Sequence, residues 1–236
     1  MPKLDQLIKD GVGGLAKGKH WLENTFDKYD QTQLREPYVR THFSPSQAHM
    51  CPRALYYHMK GYDQDPIDAQ SLRRMGVGTV FHEFIEKKLI ETGVMVSSEE
   101  EIMYDDPPIR GFYDAIIKRP EDDKNLLLEL KSMAENKNPK YAQYLPRHDH
   151  LIQWNLYSLM TGIDEGLIFY INKNNQLYTI CEVERNESII ENTLEKFRQV
   201  QEWLTGDVPY PYQADWDHKY CNYKVICEKD HFILGK

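Results

Sequence analysis

Three side chains near the middle of the chain could do chemistry together. Glu129 and Lys131 lie in the run LLLELKS, residues 126–132, which reads as a strand. Side chains alternate on a strand, so these two share one face while Leu128 and Leu130 take the other. The run GFYDAIIK, residues 111–118, reads as its partner strand, joined to it through the polar RPEDDK. If the loop is centred on Glu121 and Asp122, Lys118 faces Asn125 and Asp114 faces Glu129. Directly opposed side chains in such a pair have Cβ atoms roughly 4.5–5.5 Å apart, so two carboxylates placed there repel. A divalent cation removes the repulsion, and hard oxygen donors suit Mg²⁺ or Mn²⁺. Lys131 could then touch a phosphate or a metal-bound water. A solvated hairpin face with a Glu–Lys pair accounts for Glu129 and Lys131 taken alone; Asp114 in register favours a site that hydrolyses phosphodiesters.

The elements around these residues follow from period and punctuation. Residues 44–62, SPSQAHMCPRALYYHMKGY, begin with cap-type residues, carry apolar residues at helical spacing and stop at Gly61. Residues 71–93 read as a second helix, with Phe81, Phe84, Ile85 and Leu89 on one stripe. After the acidic hairpin, the later part of residues 139–162 reads as helix. EGLIFYIN and QLYTICEVE read as strands about the turn KNN, and residues 187–206 as a strongly amphipathic helix. The tail PYPYQADWDHKYCNYKVICEKDHF reads as irregular. This order predicts an α/β fold with a mixed sheet between helices. Residues 1–40 read as an N-terminal extension with one short helix, and residues 41–236 as one domain whose tail is 207–236.

The chain has 236 residues, a formal net charge of −8 and four cysteines. The length suffices for one sizeable core. The net charge argues against a protein that coats nucleic acid through bulk phosphate neutralisation, yet a local basic groove can coexist with it. No apolar run approaches the ~20 residues a membrane span needs, and the N-terminus lacks an apolar signal region. A cytoplasmic location with no membrane partner is expected, with the cysteines as thiols or metal ligands rather than disulfides.

GFYDAII…LLLELKS resembles the core of the PD-(D/E)XK nuclease superfamily: an Asp, a hairpin loop, then E-x-K on the next strand. Asp114, Glu129 and Lys131 fill these places, with Tyr113 where the eponymous proline would stand. Two further matches are similar to the RecB-like branch. GVGTVFHEFIE supplies Gly78 and His82 on the helix before the hairpin, and QWNLY supplies Gln153 and Tyr157, four apart on one face of the helix after it. The resemblance implies a three-layer, restriction-endonuclease-like core. It also implies metal ligation by His82, Asp114, Glu129 and the Leu130 carbonyl, and support of DNA binding by Gln153 and Tyr157. Taken singly, a helix His is more often structural, and a Gln–Tyr pair on a packed helix needs no function.

The cysteines extend the likeness. Some RecB-like nucleases, among them AddB-type subunits and CRISPR-associated exonucleases, hold a 4Fe–4S cluster with one Cys in an N-terminal helix and three near the C-terminus spaced C-x2-C-x5-C. Here HMCPRALYY supplies Cys51 and the tail supplies Cys221 and Cys227, but the remaining position is His218. Cys₃His suits structural Zn²⁺, whereas clusters of this kind use four thiolates. Zn²⁺ is therefore expected ahead of 4Fe–4S, stapling the tail to the N-terminal helix; free thiols in a Tyr-rich tail are the bland alternative. Cys181 reads as core, and His231 is a further possible ligand.

Taken together, these features lead us to expect a Mg²⁺- or Mn²⁺-dependent deoxyribonuclease, in the first place an exonuclease acting on DNA ends. An endonuclease of the same superfamily is the alternative within enzymes, and a catalytically silent, metal-stapled DNA-binding or scaffold protein the alternative outside them. Arg53, Arg73 and Arg74 are candidate phosphate contacts, or solvated helix charges; Tyr210, Tyr212 and Trp216 could stack on bases, or pack in the tail. A helicase, recombinase or integrase partner, in a phage or CRISPR setting, is compatible with a chain lacking a phosphate-binding loop of its own.

Overall fold

The computed structural model describes residues 20–34, 36–134, 144–206, 210–212 and 221–234. It divides into two units: Met1–Glu36 with Ile67–Gly76, and Pro37–Pro66 with Val77–Lys236. In the first unit, helix α1 (Trp21–Gln31) buries none of its own residues. Asp27 and Asp30 hold Arg73 at 2.6 and 2.8 Å.

The second unit begins its regular structure with α2 (Pro52–Lys60), opened by Pro52 and closed by Gly61 in the left-handed conformation. Tyr38 backbone atoms stand 2.6–2.8 Å from where a Cβ at Gly61 would lie, so a side chain there has neither the backbone angle nor the space. Helix α3 (Ala69–Glu91) continues into this unit. Four short strands follow: β1 (Met95–Ser98), β2 (Glu101–Tyr104), β3 (Ile109–Phe112) and β4 (Ala115–Lys118). Then come β5 (Asn125–Met133), α4 (His148–Thr161), β6 (Glu165–Asn172), β7 (Tyr178–Glu184), α5 (Glu187–Leu204) and α6 (Lys224–Leu234).

Among the described residues, the strands form a five-stranded sheet in the order β1-β4-β5-β6-β7 and a separate ribbon, β2-β3. β5 and β6 are parallel and the other neighbours antiparallel, so the sheet is mixed as expected. One face packs Ala115, Leu128, Leu130 and Ile171 under Phe81, Ile85 and Leu89 of α3. The other packs Leu127, Ile168 and Tyr170 under Trp154 and Tyr157 of α4. Beyond α4, a second core joins α2, α5 and the tail through Phe43, Leu55, Tyr57, Phe197, Tyr223 and Cys227.

Three expectations need correction, and two strands went unread. GFYDAIIK is two strands, broken at Tyr113 and Asp114. Tyr113 is buried, its hydroxyl shared between Ser97 and Glu100 at 2.7 Å each, and the Glu99 amide reaches the Tyr113 and Asp114 carbonyls. That turn takes the chain from the ribbon into the main sheet. β1 and β2 were not read from sequence, since MVSS and EIMY are four residues each and alternate weakly. Phe84 leaves the apolar stripe: it is exposed, with the Lys88 ammonium 4.5 Å from its ring centre. The tail contains a helix, α6, where an irregular segment was expected.

Candidate active site

Lys118 pairs with Asn125 and Ala115 with Leu128, so the main-sheet hairpin has the register read from the sequence. Pairing stops one residue short of Asp114. Its carboxylate takes over the role of a ladder carbonyl, with Oδ2 accepting the Leu130 N–H at 2.6 Å. This fixes Asp114 at the strand junction while Glu129 and Lys131 project from β5 toward α4.

Glu129 is 1 % exposed. The Lys131 ammonium lies 2.5 Å from its Oε1, yet that oxygen is buried without a hydrogen bond of good geometry. Lys131 also donates to Gln153 Oε1 on α4 at 3.0 Å. Burial pushes the Glu129 carboxyl well above its ordinary range; the neighbouring Asp114 charge adds to this and Lys131 opposes it. Burial likewise raises Asp114, against the pull of Lys131 and the Leu130 amide. For Lys131, burial alone would lower the ammonium, but Glu129 and Asp114 outweigh it and the net shift is upward. The lysine stays a cation, and the two carboxylates compete for one positive charge.

His82 reaches the cluster from α3, with Nδ1 3.6 Å from Asp114 Oδ1. Burial, and then Lys131, lower its pKa, keeping the imidazole neutral and available as a ligand. Tyr157 is buried beneath the site; burial and then the Glu129 and Asp114 charges raise its pKa, with the Phe112 backbone and Gln153 as polar neighbours. Asp114, Glu129, Lys131, His82, Gln153 and Tyr157 therefore share one neighbourhood, next to the Leu130 backbone.

Two residues there went unnoticed in the sequence. Glu86 and Glu99 join His82, Asp114 and Leu130 around a cavity of about 10 Å³, room for one water-sized occupant. Glu86 lies one helical turn beyond His82, a spacing that could have signalled it; its Oε1 accepts the Ser98 hydroxyl. Glu99 holds a left-handed backbone, φ 49°, in the turn between β1 and β2. Such strain in a non-glycine marks a position the surroundings enforce. Nothing in its sequence context pointed to it.

The arginines have partners of their own. Arg53 is 2 % exposed, donating to the Tyr57 hydroxyl and the Tyr210 carbonyl at 3.0 Å each, with Asp230 3.9 Å away. It joins α2 to the tail and presents no surface to a phosphate. Arg73 and Arg74 lie in the first unit, Arg73 held by its two aspartates and Arg74 also engaged. Tyr210 is buried against Trp203, ring centres 5.6 Å apart, and Tyr212 packs on the same core, which removes Tyr210 as a stacking platform; Trp216 lies outside the described residues.

Cys51, Cys221 and Cys227 are free thiols. Burial raises each pKa; the Cys221 charge adds to this at Cys51, and those of Cys51 and Cys221 add to it at Cys227. The Cys51 sulfur accepts the Ala54 amide and the Cys221 sulfur the Tyr223 amide. His218 lies outside the described residues, as does the side chain of His231. Among the described residues, no three His, Cys, Asp or Glu side chains surround one point closely enough to hold a metal, either here or at the hairpin. At the hairpin, the donor types still suit a hard cation: the Asp114 and Glu129 carboxylates beside the Leu130 backbone and the His82 imidazole.

No family model matches the chain, and no curated protein matches it. Solved structures do. A protein designated SSO0001 superposes with a TM-score of 0.54 at 20 % identity, over 89 % of this chain and 96 % of its own. The alkaline exonuclease LHK-Exo from Laribacter hongkongensis, in complex with dAMP, gives 0.51 at 15 % identity, over 70 % of this chain and 88 % of its own. A phage-related exonuclease from Haemophilus somnus 129PT gives 0.50 at 12 % identity, over 75 % of this chain and 96 % of its own. What the chain shares with these proteins is a fold, the mixed sheet between helices that sets Asp114 beside β5.

Proposed function

We propose that the protein is a Mg²⁺- or Mn²⁺-dependent deoxyribonuclease, in the first place an exonuclease. One observation carries the reading: a fully buried Glu129 carboxylate, its Oε1 2.5 Å from the Lys131 ammonium, set beside Asp114 at a strand junction. A sheet does not gain stability from two buried carboxylates sharing one lysine. The arrangement makes sense as a binding site for positive charge. Asp114, Glu129, the Leu130 carbonyl and His82 would hold the ion. When bound, it would supply a water of lowered pKa and a charge beside the scissile phosphate. Lys131, held protonated, orients that water and neutralises charge developing on the phosphate. Gln153 fixes Lys131 by its 3.0 Å bond, and the buried Tyr157 lies beside Gln153. That solved exonucleases share the fold supports the reading.

The zinc or 4Fe–4S staple expected from Cys51, His218, Cys221 and Cys227 belongs to the same proposal. Its support is the gathering of three buried or half-buried thiols where tail meets α2.

The test is digestion of end-labelled single- and double-stranded linear DNA and of a closed circle, with Mg²⁺ or Mn²⁺, beside Lys131→Ala. We expect metal-dependent loss of the linear DNA, falling about a hundredfold or more in the variant. Cutting of the circle would favour an endonuclease. Absence of cleavage of any DNA by folded protein would sink the enzyme reading.

A further inference from the structure

The ribbon β2-β3 has one face in the core and one in solvent. Ile109 and Gly111 are buried, Gly111 so closely that a Cβ there would lie 2.9 Å from the Tyr157 ring and from Pro45. The outer face carries Glu101, Met103, Arg110 and Phe112. Phe112 pairs with Glu101 and Met103 with Arg110, so Phe112 and Met103 are diagonal neighbours, within reach of an aromatic ring and a long thioether. Each is 54 % exposed. Arg110 is bound through Nε to Glu101, which balances the charge of the face.

The position of this patch is what matters. Phe112 is the last residue of β3, two before Asp114, so its Cα lies within about 7 Å of that of Asp114 along the chain. Its neighbour Tyr113 turns inward to Ser97 and Glu100, which leaves Phe112 on the solvent side of the backbone that leads into the site. Its own backbone is braced from below by Tyr157. A half-exposed ring thus stands two residues along the chain from the proposed catalytic carboxylate. Every base has a π-face that can stack on such a ring without regard to sequence, but a base paired inside a duplex shows that face only at an end or where strands separate.

We propose that Phe112, with Met103 beside it, is the stacking platform for an unpaired base of the strand being cut, so that DNA enters the Asp114–Lys131 site as a single strand or a frayed end. This rests on the nuclease reading for the identity of the strand; the stacking itself does not require cleavage.

Two readouts keep the two apart. The first is fluorescence of a single-stranded oligonucleotide carrying 2-aminopurine, bound to the full-length protein without divalent metal. Quenching on binding is expected with the wild type, retained with Phe112→Trp and lost with Phe112→Ala. The second is steady-state digestion of single-stranded and blunt duplex DNA. With Phe112→Ala we expect KM on single strands to rise about tenfold or more, with kcat within about twofold. Phe112→Trp should restore KM. Because Phe112 is half exposed, the melting temperature should be unchanged in both variants. Equal quenching in wild type and Phe112→Ala would overturn the proposal, and so would a KM on single strands that the alanine leaves unmoved. Quenching that depends on Phe112 in a protein that cleaves no DNA would uphold the platform and overturn the nuclease reading alone.

Discussion

Glu129 carries the strongest statement any single residue makes. Its carboxyl, like that of Asp114, is raised above the value it has in an unfolded chain. The folded state therefore holds more protons than the unfolded state between the ordinary carboxylate range, about 4, and neutrality. Stability of the metal-free protein must then fall as pH rises through that window, with the full cost present above the raised values. Glu129→Gln removes the charge and keeps the shape. At pH 8 without metal, the variant should melt higher than the wild type, and the gap should close toward pH 5. Cleavage should fall about a hundredfold at any pH. A variant that melts lower than the wild type at pH 8 would mean that the Lys131 contact stabilises more than the buried charge costs, and the site would then be structural.

Among the elements, the ribbon β2-β3 shows most clearly what the sequence hid. GFYDAIIK reads as one strand because its alternation runs unbroken through Tyr113. The break arises from tertiary partners: Ser97, Glu100 and the Glu99 amide, none of which is near in that run. The register from Lys118 back to Ala115 was legible all the same, because the loop residues of a hairpin set it. Gly111 couples ribbon to site. A methyl there meets the Tyr157 ring and the Pro45 ring, and neither can give way easily in a packed core. Gly111→Ala should cost about 1–3 kcal/mol by overpacking. It should also slow cleavage, because Tyr157 lies beside Gln153, which holds Lys131. Urea denaturation gives the first quantity and the digestion assay the second. Unchanged stability would show that the ribbon is free to lift.

At the scale of the whole molecule, the tail is where composition misled. Its many tyrosines and its cysteines suggested an irregular segment, yet residues 224–234 form a helix that returns to α2. Tyr57 donates to Asp230 at 2.7 Å, His58 and Tyr223 share a 3.0 Å bond, and the Asp65 amide donates to the Asn222 carbonyl at 2.6 Å. Local propensity cannot reveal contacts made across more than a hundred residues, among them the approach of Cys221 and Cys227 to Cys51; the metal site read from the C-x5-C spacing is a proposal. These thiols and the core around Tyr223 and Cys227 join the two ends of the unit, so ion binding there would add directly to folding free energy. Purified protein should then contain zinc, or iron with sulfide, by elemental analysis, and strong chelation should lower its melting temperature. Cys227→Ser should have the same effect as chelation, since both remove the staple. Taking the staple as worth about 2 kcal/mol or more, the fall would be at least ~4–8 °C for a chain of this size. Cys181→Ser, on β7 and away from these thiols, should leave metal content unchanged. Protein free of both metals, with a Cys227→Ser variant that melts like the wild type, would leave the tail held by its hydrogen bonds and buried aromatics alone.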